Sequence, residues 1–275
     1  MLTSIVMAFS ALPSIESFAF TPDPTASLPP PRKKARLADG ASATPPRARA
    51  AARESVSFGA ALDRARPPHT LILGSHPSTA SLAAEQYYAR RTNAFWWIAA
   101  DCLGFRRGDG AGGALDPPTG VAPRHASPAL AYADMLVALN REGFALWDVV
   151  ASCRRAGSTD ARIERASEVP NDVRALCAAW PSIERVCLAS GATTAALFAR
   201  HNARWLREPG QFALADDAKT RKALGKIVVS DSAAGSRPIT LCVMASVSPA
   251  FCRPPDGTYA AKLADWERLC FRGRG

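Results

Sequence analysis

The sequence predicts an α/β domain whose parallel sheet is covered by helices on both faces. From about residue 67 onward, short apolar runs alternate with longer segments in which apolar residues recur at helical spacing. Because a crossover helix connects one parallel strand to the next, this alternation is typical of a sheet that is buried on both faces. The length of 275 residues and the hydrophobic content of 48% fit one or two globular domains.

The predicted elements follow one another along this part of the chain. The strands are the apolar runs 69–74, 144–151, 185–190 and 238–246, and the helices are 81–89, 94–105, 127–143, 169–180, 191–206 and 258–271. The helix over 127–143 follows a Ser-Pro pair and stops at a glycine, which are ordinary boundary signals. Asn171 is the expected N-cap of the next helix, because a short polar side chain there accepts hydrogen bonds from free backbone N–H groups.

Residues 1–66 differ in composition from the rest of the chain. They contain eight prolines and many alanine and serine residues, with little hydrophobic periodicity after Phe20. We therefore predict a disordered basic arm over 1–66 and a folded domain over 67–275. The segment PPPRKKARL at 29–37 is either a nuclear localisation signal or a solvated basic tail. A nuclear protein is expected, and an organellar presequence is the alternative.

Charge and cysteine usage restrict the class of protein. Lys and Arg total 34 against 24 Asp and Glu, and the resulting net charge of +10 favours a polyanionic partner such as nucleic acid. The seven cysteines form no C-x-x-C pair and several lie in apolar runs, which indicates reduced, buried cysteine in an intracellular protein rather than a zinc or iron–sulfur site. No apolar run reaches the roughly 18 residues that span a bilayer, so no membrane partner is expected.

Common catalytic motifs are absent or out of context. GDGAGG at 108–113 has the spacing of a dinucleotide-binding loop, but it follows an aromatic helix rather than a strand, so a flexible loop is the better interpretation. The chain contains no Walker A sequence and no G-x-S-x-G, and its four histidines lack metal-ligand spacing. No cofactor and no metal are therefore expected.

In open parallel sheets, ligands bind beyond the carboxyl ends of the strands. Those ends are Gly74-Ser75-His76, Trp147-Asp148, Ser190-Gly191 and Ser246-Val247-Ser248. Asp148 would either steer a water molecule or cap its strand. The first strand end leads into a pair of tyrosines and Asn93-x-Phe95-Trp96. Aromatic faces stack on a flat base and an amide both donates and accepts, so this segment predicts a pocket for an uncharged ring, with core packing and a helix cap as the alternatives.

Four blocks, in order along the chain, carry a resemblance to a known family. They are GSHPSTASL…QYYARRTNAFWWI, GFALWDVVASCRRAGSTDARI at 143–163, VPNDVRALCAAWPSIERVCLASGATTAALF at 169–198, and MASVSPAF at 244–251. Together they resemble the uracil-DNA glycosylase superfamily, most of all its hypoxanthine-DNA glycosylase-like branch, which is related to the mismatch-specific uracil glycosylases. The resemblance covers roughly residues 69–272. It implies a three-layer α/β/α sandwich with a short, mainly parallel central sheet.

The resemblance also implies an activity: removal of a deaminated base, hypoxanthine or uracil, from DNA by hydrolysis of the N-glycosidic bond, as in base excision repair. The target nucleotide would rotate out of the helix into the pocket. Asn93 would be the catalytic amide. His76, the second expected catalytic residue, stands where related branches have an asparagine that holds a water molecule. The expected base-binding residues are Gly74, Ser75, Tyr88 and Ser190, and the expected DNA-binding residues are Ser246, Ser248, Pro249, Arg90 and Arg91. Because no lysine lies in these blocks to form a Schiff base, a monofunctional enzyme is expected. It is also expected to be a monomer and to contain no metal.

The chain departs from the family pattern at several of these positions. Arg90 and Arg91 stand within ARRTN, where the family has Ala-His-Pro-x-Asn. Ser190 and Phe251 stand where the family has asparagines. The lost amides leave the preferred base open, and they leave open a catalytically inactive relative that binds nucleic acid. A small-molecule hydrolase on the same scaffold is a third interpretation. Further phosphate attraction is expected from Arg106 and Arg107.

Overall fold

The computed structural model of the chain describes residues 51–229, 237–251 and 257–271. Its strands are β1 (Arg53–Val56), β2 (Thr70–Gly74), β3 (Arg106–Arg107), β4 (Ala129–Leu130), β5 (Phe144–Asp148), β6 (Val150–Arg155), β7 (Val169–Pro170), β8 (Arg185–Leu188), β9 (Phe212–Leu214) and β10 (Ile239–Val243). Its α-helices are α1 (Thr79–Ala84), α2 (Phe95–Leu103), α3 (Tyr132–Arg141), α4 (Val173–Ala179), α5 (Ala192–His201), α6 (Ala218–Leu224) and α7 (Tyr259–Trp266). Most of the predicted arm, PPPRKKARL included, lies outside the described residues.

Five parallel strands form the central sheet in the order β5-β2-β8-β10-β9. Successive side chains point to opposite faces of a strand. Ile72 of β2 packs with α2, α3 and α7, whereas Leu71 and Leu73 pack with α4, α5 and α6. Both faces are covered by helices, which explains why the strands are apolar throughout rather than alternating. The predicted α/β sandwich with a mainly parallel sheet is therefore confirmed.

A second, antiparallel sheet lies beside the first and joins β1 to β6 and β6 to β7. β1 pairs with Ser152–Arg155, and Ala61 forms a bridge with Leu146 of β5. The folded domain therefore begins before residue 67, and the boundary taken from composition is corrected. Backbone hydrogen bonds order this segment, whose side chains show no hydrophobic periodicity that would have indicated a strand.

Two of the differences between the predicted helix boundaries and the structure lie close to the strand ends. The helix expected over 81–89 ends at Glu85, because Glu85 (φ 51°) and Tyr88 (φ 55°) both adopt left-handed backbone conformations. The resulting turn buries Tyr87 in the core and brings Tyr88 to the end of β2. The N-cap of α4 is Asp172, which accepts from the N–H of Ala175, and not Asn171.

The cysteines that the structure describes are free thiols, buried except for the half-buried Cys102. They are Cys102, Cys153, Cys177, Cys187, Cys242 and Cys270. Within the described ranges, no helix combines the length and the apolar character needed to cross a bilayer.

Candidate functional site

A cavity of about 130 Å³ lies at the carboxyl ends of β2, β5 and β8, next to the segment that follows β10. It is lined by Gly74, Ser75, His76, Pro77, Ser78, Ser81, Tyr87, Tyr88, Arg90, Asn93, Asp148, Ser158, Asp160, Ser190, Ser248 and Pro249. We call one group of these residues the floor: Gly74, Ser75, His76, Asp148 and Asp160. We call another group the rim: Arg90, Ser248 and Pro249. The strand ends that the sequence singled out thus share a single cavity.

Most of the residues predicted for the site line this cavity, and two do not. Ser246 lies outside the lining and accepts a hydrogen bond from the backbone N–H of Ser248 through its Oγ, at 3.3 Å. Arg91 is exposed outside the lining, and its carbonyl oxygen accepts from Nε1 of Trp97 at 2.8 Å. Ser246 therefore supports the rim rather than forming it, and the side chain of Arg91 is free to face solvent.

Gly74 ends β2, and its lack of a side chain makes room for the floor. A Cβ atom at this position would lie 2.3 Å from Oδ1 of Asp148 and 3.2 Å from Oη of Tyr88. The first distance is far below van der Waals contact, so no other residue fits here without displacing the carboxyl group. Asp148 stands opposite Gly74 in the parallel register of β2 and β5, which is how the sheet brings the two together.

Tyr88 forms one wall of the cavity. One face of its ring stacks on Phe95, with 4.3 Å between ring centroids and 30° between the planes. Its hydroxyl group is buried and has no hydrogen-bond partner among the described residues. Burial raises the pKa of this hydroxyl well above its usual range, so it stays protonated and can donate. The ring presents an aromatic wall that is backed by Phe95, and base stacking by Tyr88 stays a prediction.

The side chain of Asn93 meets both expectations about its position, at the start of α2 and in the cavity. Its Oδ1 accepts a hydrogen bond from the backbone N–H of Phe95 at 2.9 Å, which caps the first turn of α2. The same side chain lines the cavity, and its Nδ2 has no hydrogen-bond partner in the described part of the chain. The cap therefore holds the amide in place while leaving its N–H groups available to a ligand.

The structure argues against a catalytic function for the ring of His76. The ring is buried, and both of its nitrogens are engaged: Nδ1 donates to the carbonyl oxygen of Val150 at 3.0 Å, and Nε2 accepts from the hydroxyl of Ser55 at 2.9 Å. Burial lowers the pKa of His76 to about 4, so the ring is neutral near pH 7. The predicted catalytic assignment is corrected to a structural one, in which the ring joins the β2 loop to β1 and β6.

Asp148 is a buried carboxyl group on the floor. Its Oδ2 accepts a hydrogen bond from the hydroxyl of Ser57 at 2.6 Å, and its carbonyl oxygen accepts from Nδ2 of Asn171 at 2.8 Å. Burial raises the pKa of Asp148 to about 7, although the hydrogen bond from Ser57 opposes the shift. Such a carboxyl group exchanges a proton near neutral pH.

Sequence reasoning missed the second carboxyl group of the floor and the cation beside it. Asp160 accepts from the hydroxyl of Ser75 at 2.7 Å, and its Oδ1 lies 3.7 Å from Nη1 of the buried Arg155. Arg155 also donates to the carbonyl oxygen of Pro77 at 2.5 Å, which holds the β2 loop in place. Burial raises the pKa of Asp160 as well. The signal in the sequence was the polar run SCRRAGSTD at 152–160, which begins within β6 and continues beyond it.

The arginines near the rim differ in function. Arg90 is exposed and lines the cavity. Arg107 is buried and donates to the carbonyl oxygens of Ala89 at 2.6 Å and Arg90 at 3.4 Å, so it shapes the rim instead of meeting phosphate as expected. Arg106 donates to the carbonyl oxygen of Leu115, and both of these guanidinium groups lie within 6 Å of the ring centroid of Trp97.

The segment that follows β10 completes the rim. The N–H of Phe251 donates to the carbonyl oxygen of Ser248 at 3.1 Å, which closes a turn. Lys262 of α7 donates to the same carbonyl oxygen at 3.4 Å and lies 5.7 Å from the ring centroid of Phe251. The ring of Phe251 is 44% exposed, which is unusual for a large apolar side chain. An exposed aromatic group thus lies in the same turn as Ser248, which lines the cavity.

A larger depression, of about 460 Å³, lies between α5 and α6. It is lined by alanines, Ile227, Arg200 and Arg207, and none of its described lining residues carries a carboxyl group, an amide or an aromatic ring. Elsewhere in the described ranges, no group of three or more His, Cys, Asp or Glu side chains is arranged to hold a metal ion. The cavity at the strand ends is therefore the candidate site.

Comparisons with known proteins give one relative by sequence and one similar solved structure. No protein-family model matches the chain. Over 117 residues it is 30% identical to the hypoxanthine DNA glycosylase of Methanosarcina acetivorans, a match that covers 42% of this chain and 60% of that relative's length. The solution NMR structure of a candidate uracil DNA glycosylase from the same organism matches 79% of this chain and 99% of its own, at 22% identity and a TM-score of 0.45, which is too low to carry an argument. The sequence match confirms a resemblance to a hypoxanthine DNA glycosylase over a little more than half of that relative's length.

Proposed function

We propose that the chain is a DNA glycosylase of the hypoxanthine-DNA glycosylase-like branch, which removes hypoxanthine or uracil from DNA by hydrolysing the N-glycosidic bond. One observation supports this most: the amide of Asn93, the aromatic wall of Tyr88 and a buried carboxyl group border a single cavity at the strand ends. A flat base that has rotated out of the helix needs a stacking surface, hydrogen-bonding groups for its edge, and a pocket that is largely closed to bulk water.

The chemistry follows from where charge develops in the reaction. As the bond breaks, negative charge appears on the departing base and positive charge on the sugar. Fixed donors that point at the base stabilise this distribution without reorganising, and Nδ2 of Asn93 is such a donor. None of the described residues that line the cavity is a lysine. With no amine there to form a Schiff base, the enzyme is proposed to be monofunctional.

The rim supports the proposed contact with DNA. Arg90 and Arg91 are exposed at its edge, where they would meet phosphate groups independently of the base sequence. The ring of Phe251 is exposed in the same segment as Ser248 and Pro249, and we propose that it enters the gap that an extruded nucleotide leaves behind. The enzyme is proposed to act as a monomer, and a nuclear location rests on PPPRKKARL alone.

A panel of duplex and single-stranded oligonucleotides carrying one hypoxanthine or one uracil tests the function. After incubation, alkali cleaves the strand wherever a base has been released. We expect cleavage with at least one of these bases and none with an undamaged control. An unaltered chain that releases no base from any member of the panel would contradict the proposal.

Two substitutions at Asn93 separate catalysis from folding. Asn93→Ala removes both the cap and the amide, and losing the cap alone costs about 1 kcal/mol of stability. Asn93→Asp keeps an oxygen for the N–H of Phe95 but removes the N–H donors and adds negative charge. We expect both variants to lose base release by about 100-fold or more, and only Asn93→Ala to melt earlier. If Asn93→Asp releases base normally, the amide is not the catalytic donor.

The second candidate function is an inactive relative that binds nucleic acid. Ser190 and Phe251, which stand where the family has asparagines, favour it. It predicts salt-dependent binding of DNA with no base release from any oligonucleotide. Binding measured beside the cleavage assay therefore distinguishes it both from the enzyme and from a hydrolase of free nucleosides, which would act without binding DNA.

A further inference from the structure

We propose that Asp148 is a catalytic base of this site, whose Oδ1 binds the water that attacks the sugar and accepts a proton from it. This inference rests on the proposed glycosylase function and adds a second catalytic group to it, beside Asn93. The geometry of the floor, the charges around it and the chemistry of the neighbouring side chains each support the assignment.

The geometry gives Asp148 one committed oxygen and one available oxygen. Oδ2 accepts from Ser57, whereas Oδ1 lines the cavity and has no hydrogen-bond partner in the described part of the chain. Oδ1 and Oη of Tyr88 both converge on the bare α-carbon of Gly74, at 2.3 and 3.2 Å from where a Cβ would lie. Oη of Tyr88 is itself buried and unpartnered among the described residues. Asp148 and Tyr88 both line the cavity, and an available acceptor beside an available donor is the pair of groups that a water molecule needs.

Burial and the neighbouring charges together set the pKa of Asp148 close to neutrality. Burial is the main cause of the shift to about 7, Asp160 raises the value further, and the hydrogen bond from Ser57 and the guanidinium of Arg155 lower it. The other titratable groups that act on it electrostatically, Tyr87, Tyr88 and Tyr132, have raised pKa values and stay neutral. Asp148 is therefore ionised above about pH 7 and can accept a proton there.

The other polar groups of the site are poorly suited to this step. The amide of Asn93 has no basic atom, and the ring nitrogens of His76 are occupied by Ser55 and Val150. Asp160 has both oxygens engaged, one by Ser75 and one by the ion pair with Arg155. Asp148 combines an available oxygen, a neighbouring donor and a proton affinity that matches the reaction.

The step balances with water as the second reactant. The water oxygen forms a bond to C1′ of the deoxyribose while the bond from C1′ to the base nitrogen breaks, and its electron pair leaves with the base. One proton of the water passes to Oδ1 of Asp148, and the other stays on the new hydroxyl group at C1′. The base leaves as an anion near the N–H groups of Asn93 and takes up a proton from solvent. Asp148 returns its proton to solvent, and no metal or cofactor enters.

The test is the pH dependence of base release under single-turnover conditions, measured on the intact chain. We expect the unaltered protein to release base more slowly as the pH falls below about 7, because protonated Asp148 cannot accept a proton. Asp148→Asn, which keeps the shape of the side chain and the acceptor for Ser57, is expected to lose 10²- to 10⁴-fold in rate. It is also expected to lose this pH dependence while binding the same oligonucleotide as tightly.

Two further variants shift the pH profile in opposite directions and keep the test decisive if Asp148→Asn folds poorly. Ser57→Ala removes a hydrogen bond that lowers the pKa of Asp148, so the midpoint of the profile should move to higher pH. Asp160→Asn removes a negative charge that raises it, so the midpoint should move to lower pH. Asp160→Asn is also the matched control, because it neutralises the other carboxyl group of the floor.

The outcomes separate this inference from the function on which it rests. If the unaltered chain releases no base, the proposed function fails and this inference fails with it. If the chain is active and Asp148→Asn keeps both its rate and its pH profile, only the inference is overturned. The inference is also overturned if Ser57→Ala leaves the midpoint of the pH profile unchanged while Asp160→Asn abolishes the pH dependence. The group that accepts the proton would then be Asp160.

Discussion

The floor and the rim of the cavity are built in opposite ways. On the floor, His76, Asp148 and Asp160 are each held by a hydrogen bond from or to another element, and His76 and Asp148 are almost fully buried. On the rim, Arg90 is exposed, and Ser248 is held chiefly through its backbone. Groups that stabilise charge in a reaction work best when they are fixed beforehand, whereas contacts with a phosphate backbone tolerate mobile side chains. Substitutions of Gly74 and of the two carboxyl groups of the floor should therefore affect the reaction, and substitutions on the rim should affect binding.

The largest effect is expected from Gly74→Ala on the floor. The added Cβ would lie 2.3 Å from Oδ1 of Asp148, so the carboxyl group must move away from its position. We expect base release to fall by at least about 100-fold, because displacements of this size disrupt catalytic geometry. The alkali-cleavage assay on the damaged oligonucleotide measures it.

Gly104→Ala is the matched control for this substitution. Gly104 ends α2 with φ +81° and has no atom within 4 Å of its Cβ position. The alanine should cost about 1 kcal/mol of stability through backbone strain, with base release unchanged. Equal losses of activity in the two variants would mean that general destabilisation, and not the floor, is responsible.

The next largest effect is the pH dependence of stability that Asp148 confers. Its pKa rises from 3.8 to about 7 on folding, so the folded state binds more protons than the unfolded state between these values. The stabilisation is complete below about pH 4 and is lost as the pH rises through about 7. Each pKa unit corresponds to about 1.4 kcal/mol, which gives at most about 4 kcal/mol.

Urea unfolding of the unaltered chain and of Asp148→Asn at several pH values measures this effect. The difference in free energy of unfolding between the two should shift in favour of the variant from pH 5 to pH 8. The lowered pKa of His76, which weakens the fold as the pH falls below about 6.5, is common to both proteins and cancels in the difference. A difference that stays constant between pH 5 and pH 8 would show that the pKa of Asp148 in the folded protein is not raised into this range.

A smaller effect is expected from His76→Phe, which tests the corrected function of the ring. Losing its hydrogen bonds to Val150 and Ser55 should lower the free energy of unfolding by about 1–3 kcal/mol. Base release by the folded variant should stay within about threefold of normal, since both ring nitrogens are already engaged by Ser55 and Val150. A hundredfold loss of activity in a well-folded variant would restore His76 to the chemistry.

The smallest effect is expected on the rim, from Arg90→Ala and Arg91→Ala. Each arginine that neutralises one phosphate contributes about 0.9 to the slope of log affinity against log salt concentration. Titrations of a labelled oligonucleotide between about 50 and 200 mM salt should therefore show a shallower slope for each variant, with the single-turnover rate of bound substrate unchanged. Lys226→Ala, which follows α6, is the control and should leave the slope unaltered; an equal change there would indicate unspecific charge attraction.

The central sheet could be predicted from the sequence, whereas its flanking elements could not. Four strands were identified because each is a run of apolar residues between clear helix signals, as in β2 and β8. The fifth, β9, has only three residues, Phe212–Leu214, and is too short for any periodicity to stand out. β1 was assigned to the arm because Arg53–Val56 is polar and lies on an edge, where pairing with β6 and not side-chain burial holds the strand.

The candidate site could be located, but its chemistry could not be assigned. Strand ends in one parallel sheet meet at one edge, so Gly74, Asp148, Ser190 and Ser248 were expected to lie together, and they do. Whether Asp148 is a strand cap or a reactive group depends on its burial and on the contact with Ser57, 91 residues away. No local pattern encodes a contact between segments so distant in the chain.

The short edge strand β1 has a consequence for how this protein divides into parts. Ser55 and Ser57 project from the beginning of the described chain and donate to His76 and Asp148. A fragment trimmed at residue 67 would keep every strand of the five-stranded sheet but would lose both serines. We expect such a fragment to form the same sheet, with His76 and Asp148 no longer held by the two serine hydroxyl groups.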